Sequence, residues 1–114
     1  MVAVADSREL SKVLANLLIN ALDASENGGG VTVEVGVEEH AFIKVSDQGC
    51  GMTPEFIREQ LFTPFKTTKS KGLGIGLYQS RQIVLAHQGQ IEVSSSPGEG
   101  SVFTVWLPLS GPAF

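Results

Sequence analysis

The sequence predicts an α+β fold in which helices cover one face of a largely antiparallel sheet. Three observations lead there. Apolar residues recur at helical spacing in two long stretches, 10–24 and 75–87. Four short stretches, 31–37, 42–46, 90–95 and 101–107, read as strands, and each pair is joined by a short polar turn. The chain order is therefore helix, two strands, a long polar segment, helix, two strands. Strands that follow one another across tight turns pair antiparallel, and two helices then cover one layer.

Asp6 is placed to cap the first helix, with Glu9 three residues on to complete a capping box. Leu10, Val13, Leu14, Leu17, Ala21 and Ala24 form its core-facing stripe. Leu18, Ile19 and Leu22 lie off that stripe; they either pack under a lid or against a partner or, by default, are expected to be buried under the rest of the fold. Asn27 and Gly28-Gly29-Gly30 stop the helix. Val31, Val33, Val35 and Val37 alternate with Thr32, Glu34 and Gly36, the pattern of a half-buried strand. Glu38, Glu39 and His40 make a polar turn into the strand Phe42–Ser46. The segment from Met52 to Lys71 has no sustained period, apart from one short helix capped by Thr53 with Pro54 at its first position. So long a loop within a compact domain is usually functional or mobile. Ile75–His87 forms the second long helix, closed by Gly89, and the turn Pro97-Gly98-Glu99-Gly100 joins the last two strands as a hairpin.

Composition bounds the function. A chain of 114 residues makes one domain, with 42% hydrophobic and 18% charged residues, so disorder and fibrous repeats are excluded. The net charge of -4 argues against a general nucleic-acid binder. Arg58, Lys66, Lys69 and Lys71, four of the eight basic residues, nevertheless cluster in one stretch, which suits a phosphate ligand or a solvated loop. The single cysteine, Cys50, cannot form an internal disulfide and fits a reducing compartment. No signal peptide and no apolar run of membrane-spanning length is present.

Three groups of residues carry chemistry. Asn16, Asn20 and Asp23 share one flank of the first helix, beside the apolar stripe. They form either a polar helix margin or a set of oxygen ligands of the kind Mg²⁺ shares with phosphates. Asp47-Gln48-Gly49-Cys50-Gly51 follows a strand. It is either an ordinary turn or a carboxylate that accepts from an exocyclic amine, flanked by glycines that let a flat ring approach. Gly72-Leu73-Gly74-Ile75-Gly76 leads into the second long helix, where unpaired N–H groups favour phosphate. It is neither a Walker A loop, since no Gly-Lys-Ser/Thr follows, nor a Rossmann fingerprint, since the third glycine is missing.

In order and spacing these features resemble the catalytic ATP-binding domain of sensor histidine kinases, within the wider group that includes Hsp90, DNA gyrase and MutL. Asn16 to Ala21 is similar to the N box, Asp47 to Gly51 to the G1 box, Phe62-Thr63-Pro64-Phe65 with Lys66-Thr67-Thr68-Lys69 to the F box, and Gly72 to Gly76 to the G2 box. The wording around them resembles nitrogen-regulatory-type kinases and the kinases of PEP-CTERM exosortase systems. The resemblance runs from about Asp6 to Leu107. It implies a Bergerat-type two-layer α/β sandwich, a mixed and mostly antiparallel sheet, and a single catalytic domain over 1–114 with an ATP lid at about 52–72.

The same resemblance implies roles. Asn20 holds Mg²⁺ on the phosphates with Asn16 beside it, and these two are the expected catalytic residues. Asp47 binds the adenine amino group, helped by Gly51 and by Thr104 on the last strand. Phe62 and Phe65 anchor the lid. Thr67, Thr68 and Lys69, with Gly72, Leu73, Gly74 and Gly76, meet the phosphates, and Gly49, Met52 and Leu77 complete the nucleotide-binding set. Asp23 stands where many members have a basic residue, so it is expected at the ribose or a metal-bound water. Asn16 stands where the hydrolytic members have a glutamate base, which implies phosphotransfer to a histidine rather than hydrolysis. Neither His40 nor His87 has the setting of an acceptor. The expected partners are therefore a separate dimerisation and phosphoacceptor domain and a response regulator, with ATP and Mg²⁺ as cofactors. The domain is expected in the cytoplasm without membrane contact of its own, in a parent kinase that is either free or anchored to the membrane elsewhere. A nucleotide-dependent binding module without turnover, and a serine kinase or ATPase built on the same boxes, are the competing readings.

Overall fold

The computed structural model describes residues 7–25, 30–59, 61–62 and 75–108. Helix α1 spans Ser7–Ala24, strands β1 and β2 span Val31–Val37 and Ala41–Asp47, and the short helix α2 spans Pro54–Glu59. Helix α3 (Ile75–Ala86) and strands β3 (Gln90–Ser95) and β4 (Ser101–Leu107) follow. The strands form one sheet in the order β1-β2-β4-β3, and all three pairings are antiparallel. The expected α+β class is observed. The capping role of Asp6 and the stop at Asn27, Gly28 and Gly29 lie outside the described residues.

The core forms where α1 and α3 lie against one face of the sheet. Val13, Leu17 and Ala21 of α1 are buried at spacings of four, and they meet Val45 of β2, Phe103, Val105 and Leu107 of β4, and Val84 of α3. Each large apolar side chain so buried contributes about 1.5–3 kcal/mol. Leu10, Leu14 and Leu18 pack around the edge of this cluster. Ile19 and Leu22, expected to be covered, are 56% and 61% exposed. They point away from the sheet on the outer side of α1, because the turn angle of the helix carries them past the buried stripe.

Strand β1 departs from expectation in the same way. Its valines pair in register with Asp47, Val45, Ile43 and Ala41, so they do share the helix-side face. Yet α1 and α3 sit chiefly over β2, β3 and β4, and Val35 at the sheet edge is 73% exposed. The alternation was legible, and the burial was not. At the other end of the chain Gln88, rather than Gly89, takes the left-handed turn that ends α3, with φ of 62°. The Thr53 cap is observed: its hydroxyl accepts from the Phe56 N–H at 3.1 Å.

Candidate functional site

Asp47 is the last residue of β2, and 8% of its surface is exposed. Its Oδ1 accepts from the Gly49 N–H at 2.9 Å, a two-residue Asx turn that aims the carboxylate. Directly across the ladder stands Ser101 of β4, and across from Ser101 stands Ser95 of β3. Opposite residues of an antiparallel pair point to one face. Asp47, Ser101 and Ser95 therefore form a polar row across three strands, on the helix-side face and next to the Val45–Phe103 row of the core.

The turn that follows Asp47 is fastened to the β3–β4 hairpin. The Met52 N–H donates to the Ser95 hydroxyl at 2.9 Å, and the Gly98 N–H donates to the Cys50 carbonyl at 2.7 Å. Two glycines permit this docking. Gly51 and Gly100 have φ of 73° and 75°, and a Cβ on either would collide with a backbone carbonyl, that of Ser96 and that of Asp47 respectively. Gly49 lies against Ala24 at the end of α1, which joins the turn to the helix carrying the asparagines.

On the helical side, the Asn16 amide donates to the Gly76 carbonyl at 3.1 Å and to the Ser80 hydroxyl at 3.2 Å. Ser80 is fully buried. The first turn of α3 is thereby clamped to α1, and a Cβ on Gly76 would come within 3.3 Å of Asn16. Asn20 is half-buried on the same flank, and Asp23 is exposed at its end. Met52, Phe62 and Leu77 pack partly buried against the core. Phe62 also carries the Arg81 guanidinium 5.6 Å above its ring. With Leu61 buried and Phe56, Ile57 and Phe62 packed, α2 and the residues Leu61 and Phe62 are anchored to the core.

One expected residue is placed elsewhere. Thr104 pairs with Lys44 and Glu92, three positions along from Ser101, on the opposite face of the sheet from Asp47. An odd offset along a strand reverses the side chain's face, so Thr104 cannot share a ligand with Asp47. The hydroxyl opposite Asp47 belongs to Ser101, which the sequence reading missed, as it missed Ser95 and Ser80. Phe65, Thr67, Thr68, Lys69, Gly72, Leu73 and Gly74 lie outside the described residues. A cleft of about 580 Å³ opens at the far end of the sheet between Glu38, Glu39, Glu92 and Trp106. Its carboxylates repel a phosphate, and it is not part of this site. His87 caps α3 through Nδ1, 2.8 Å from the Ile83 carbonyl, and His40 is exposed in the β1–β2 turn.

An aimed carboxylate at a sheet end, glycine turns beside it and a helix flank bearing amides thus come together on one two-layer α/β sandwich. Residues 5–111 match the family model described as histidine kinase-, DNA gyrase B- and HSP90-like ATPase, and the chain belongs to that family. It is 42% identical over 107 residues to the sensor histidine kinase ZraS of Salmonella typhi, covering 92% of this chain and 23% of that protein. It is 40% identical over 108 residues to the signal transduction histidine-protein kinase AtoS of Escherichia coli strain K12, covering 93% and 18%. The chain thus spans about a quarter or less of these relatives. Among solved structures it resembles the mycobacterial sensor histidine kinase MprB, with a TM-score of 0.83 and 31% identity, over 93% of this chain and 74% of that one. It also resembles the catalytic domain of histidine kinase ThkA, with a TM-score of 0.79 and 31% identity, over 91% and 68%. Among the described residues no helix is long and apolar enough to cross a membrane.

Proposed function

We propose that this chain binds Mg·ATP and is the catalytic domain of a sensor histidine kinase, which transfers the γ-phosphoryl group to a histidine on a separate dimerisation domain. A response regulator receives it afterwards. The observation that carries the reading is the row formed by Asp47 and Ser101, two buried polar side chains opposite one another at the end of an apolar sheet face, beside the asparagine flank of α1. The polar notch they would form suits the amino edge of adenine, while the apolar surroundings suit its ring. Asn20 would hold Mg²⁺, an oxygen-seeking ion that neutralises phosphate charge when bound. Segment 63–74 would supply Thr67, Thr68, Lys69 and the backbone of Gly72, Leu73 and Gly74 to the phosphates, with Phe65 beside them. Asn16 has no proton-accepting carboxylate, which favours transfer to a protein side chain over attack by water. The motif wording, similar to that of nitrogen-regulatory-type kinases and of the kinases of PEP-CTERM exosortase systems, supports a parent of that type, with this domain on the cytoplasmic side whether or not the parent carries a membrane anchor.

The test is transfer in trans. The chain is incubated with labelled ATP, Mg²⁺ and the dimerisation domain of its parent kinase. Acid-labile, base-stable label on that domain is the expected result. Acid-stable label would indicate a serine kinase, and confirmed ATP binding without any label would indicate a binding module.

A further inference from the structure

The hydroxyls beside Asp47 carry more information than their positions, because their hydrogens can be counted. A serine hydroxyl has one hydrogen and two lone pairs. Ser95 Oγ lies 2.7 Å from the Gly100 carbonyl oxygen, which has no hydrogen to give, so the Ser95 hydrogen points there. One lone pair of Ser95 accepts the Met52 N–H at 2.9 Å. Ser101 Oγ also lies 2.9 Å from Ser95 Oγ. Ser95 has spent its hydrogen, so Ser101 is the donor in that contact, and Ser95 is saturated. Ser101 then turns only lone pairs toward the notch. Asp47 does the same, since a carboxylate offers only acceptors and Oδ1 already holds the Gly49 N–H.

We infer that Ser95 is a positioning residue for base selection: by taking the Ser101 hydrogen it makes the notch acceptor-only, so that it admits a purine bearing a 6-amino group and rejects one bearing a 6-oxo group. The inference rests on the ATP-site reading above and deepens it. An exocyclic amine brings two N–H donors to a site with acceptors on both sides. A 6-oxo group brings lone pairs against lone pairs and leaves buried acceptors unpaired, the arrangement that discriminates most strongly between analogues. Asp47 supplies one acceptor whatever its neighbours do. The second acceptor exists only while Ser95 holds the hydroxyl of Ser101 in this orientation. Without Ser95 that hydroxyl is released to turn its hydrogen toward a 6-oxo group.

The experiment measures the binding of Mg·ATP and Mg·ITP to the 114-residue chain by titration calorimetry, and reads the ratio of the two dissociation constants. Ser95→Ala is expected to lower the preference for ATP about fivefold or more, on the scale of one redirected hydrogen bond. Ser95→Thr, which keeps the hydroxyl, is expected to restore it to within about twofold on the same scale. In a Ser101→Ala background Ser95→Ala should no longer change the ratio, the coupling expected of two groups acting as one. Equal weakening of ATP and ITP by Ser95→Ala would show that Ser95 only holds the turn, and would overturn the inference. Should Ser95→Ala fail to fold, Ser101→Ala decides: a fall in the ratio supports the acceptor role, and an unchanged ratio overturns it. A wild-type chain that binds neither nucleotide overturns the ATP site itself. A wild-type preference that survives Ser95→Ala overturns only the role of Ser95.

Discussion

The two ends of the candidate site, the base end and the phosphate end of the ATP reading proposed above, are built by different means. The base end is made by sheet register: Asp47, Ser101 and Ser95 stand opposite one another on β2, β4 and β3, and the 47–52 turn is bonded down onto the hairpin. The phosphate end is made by one helix flank, where a single amide from Asn16 clamps the start of α3. Sheet register fixes several groups at once and tolerates no slip, whereas a helix flank presents side chains one at a time. Changes at the base end should therefore disturb fold and selectivity together. Changes at the phosphate end should separate into independent effects.

The largest effect is expected at Gly100. Its φ of 75° is unfavourable for any side chain, and a Cβ would meet the Asp47 carbonyl on the neighbouring strand. Gly100→Ala should cost about 3 kcal/mol or more in urea unfolding, adding steric collision to backbone strain. Gly98 has φ of 80° with open space around it. Gly98→Ala should therefore cost only the strain, about 1–2 kcal/mol. Equal losses would mean that the close approach of hairpin and turn does not hold in solution.

Next comes affinity. Asp47→Ala removes a charge-assisted contact worth about 1.5–3 kcal/mol, so ATP binding should weaken about ten- to a hundredfold, with or without Mg²⁺. Asn20→Ala should remove only the part of the affinity that Mg²⁺ adds. Calorimetry with and without the metal separates the two. An Asn20 variant whose loss persists in chelator would break the division between the two ends.

Asn16→Ala should cost about 1–3 kcal/mol of stability, because it strips donors from the buried Ser80 and from the Gly76 carbonyl. A glutamate there, the change that would introduce a water-activating base, loses the same donors and sets a carboxylate near a carbonyl. Any gain in ATP hydrolysis by Asn16→Glu must therefore be read per molecule still folded. A variant as stable as wild type would show that the clamp contributes little.

The sequence made the two ends legible to different degrees. The Asn16–Asn20–Asp23 flank follows from helical arithmetic alone, since neighbours three and four apart must share a side. The carboxylate of Asp47 and the glycine turn were legible because strand ends and glycines mark themselves locally. Which hydroxyl faces Asp47 depends on how β2 and β4 are paired, and that is fixed by contacts over fifty residues apart in the chain. A partial signal existed. Phe103, Val105 and Leu107 share the odd face with Ser101, but Val102 and Trp106 make the even face equally apolar, so alternation could not choose between Ser101 and Thr104. The same want of tertiary information let β1 pass as half-buried, although nothing in its valines says that it lies at the sheet edge.

The smallest expected effect tests that choice of face. Thr104 stands in a row with Lys44 and Glu92 on the side of the sheet away from the helices, so its hydroxyl has no path to a base held at Asp47. Thr104→Val keeps the branching at Cβ and removes only the hydroxyl. It should leave ATP affinity within about twofold of wild type, well under one hydrogen bond's worth. Ser101→Ala, one strand position beyond the hairpin turn, should weaken ATP measurably and shift the preference over ITP. The opposite result, a Thr104 variant that loses ATP while the Ser101 variant retains it, would require β4 to sit one residue out of register. That slip would bring Thr104 to the helix side and turn Phe103, Val105 and Leu107, now at the centre of the core, out to solvent. Because such a slip would expose the main apolar contribution of β4, measuring thermal stability alongside binding identifies which register the chain adopts.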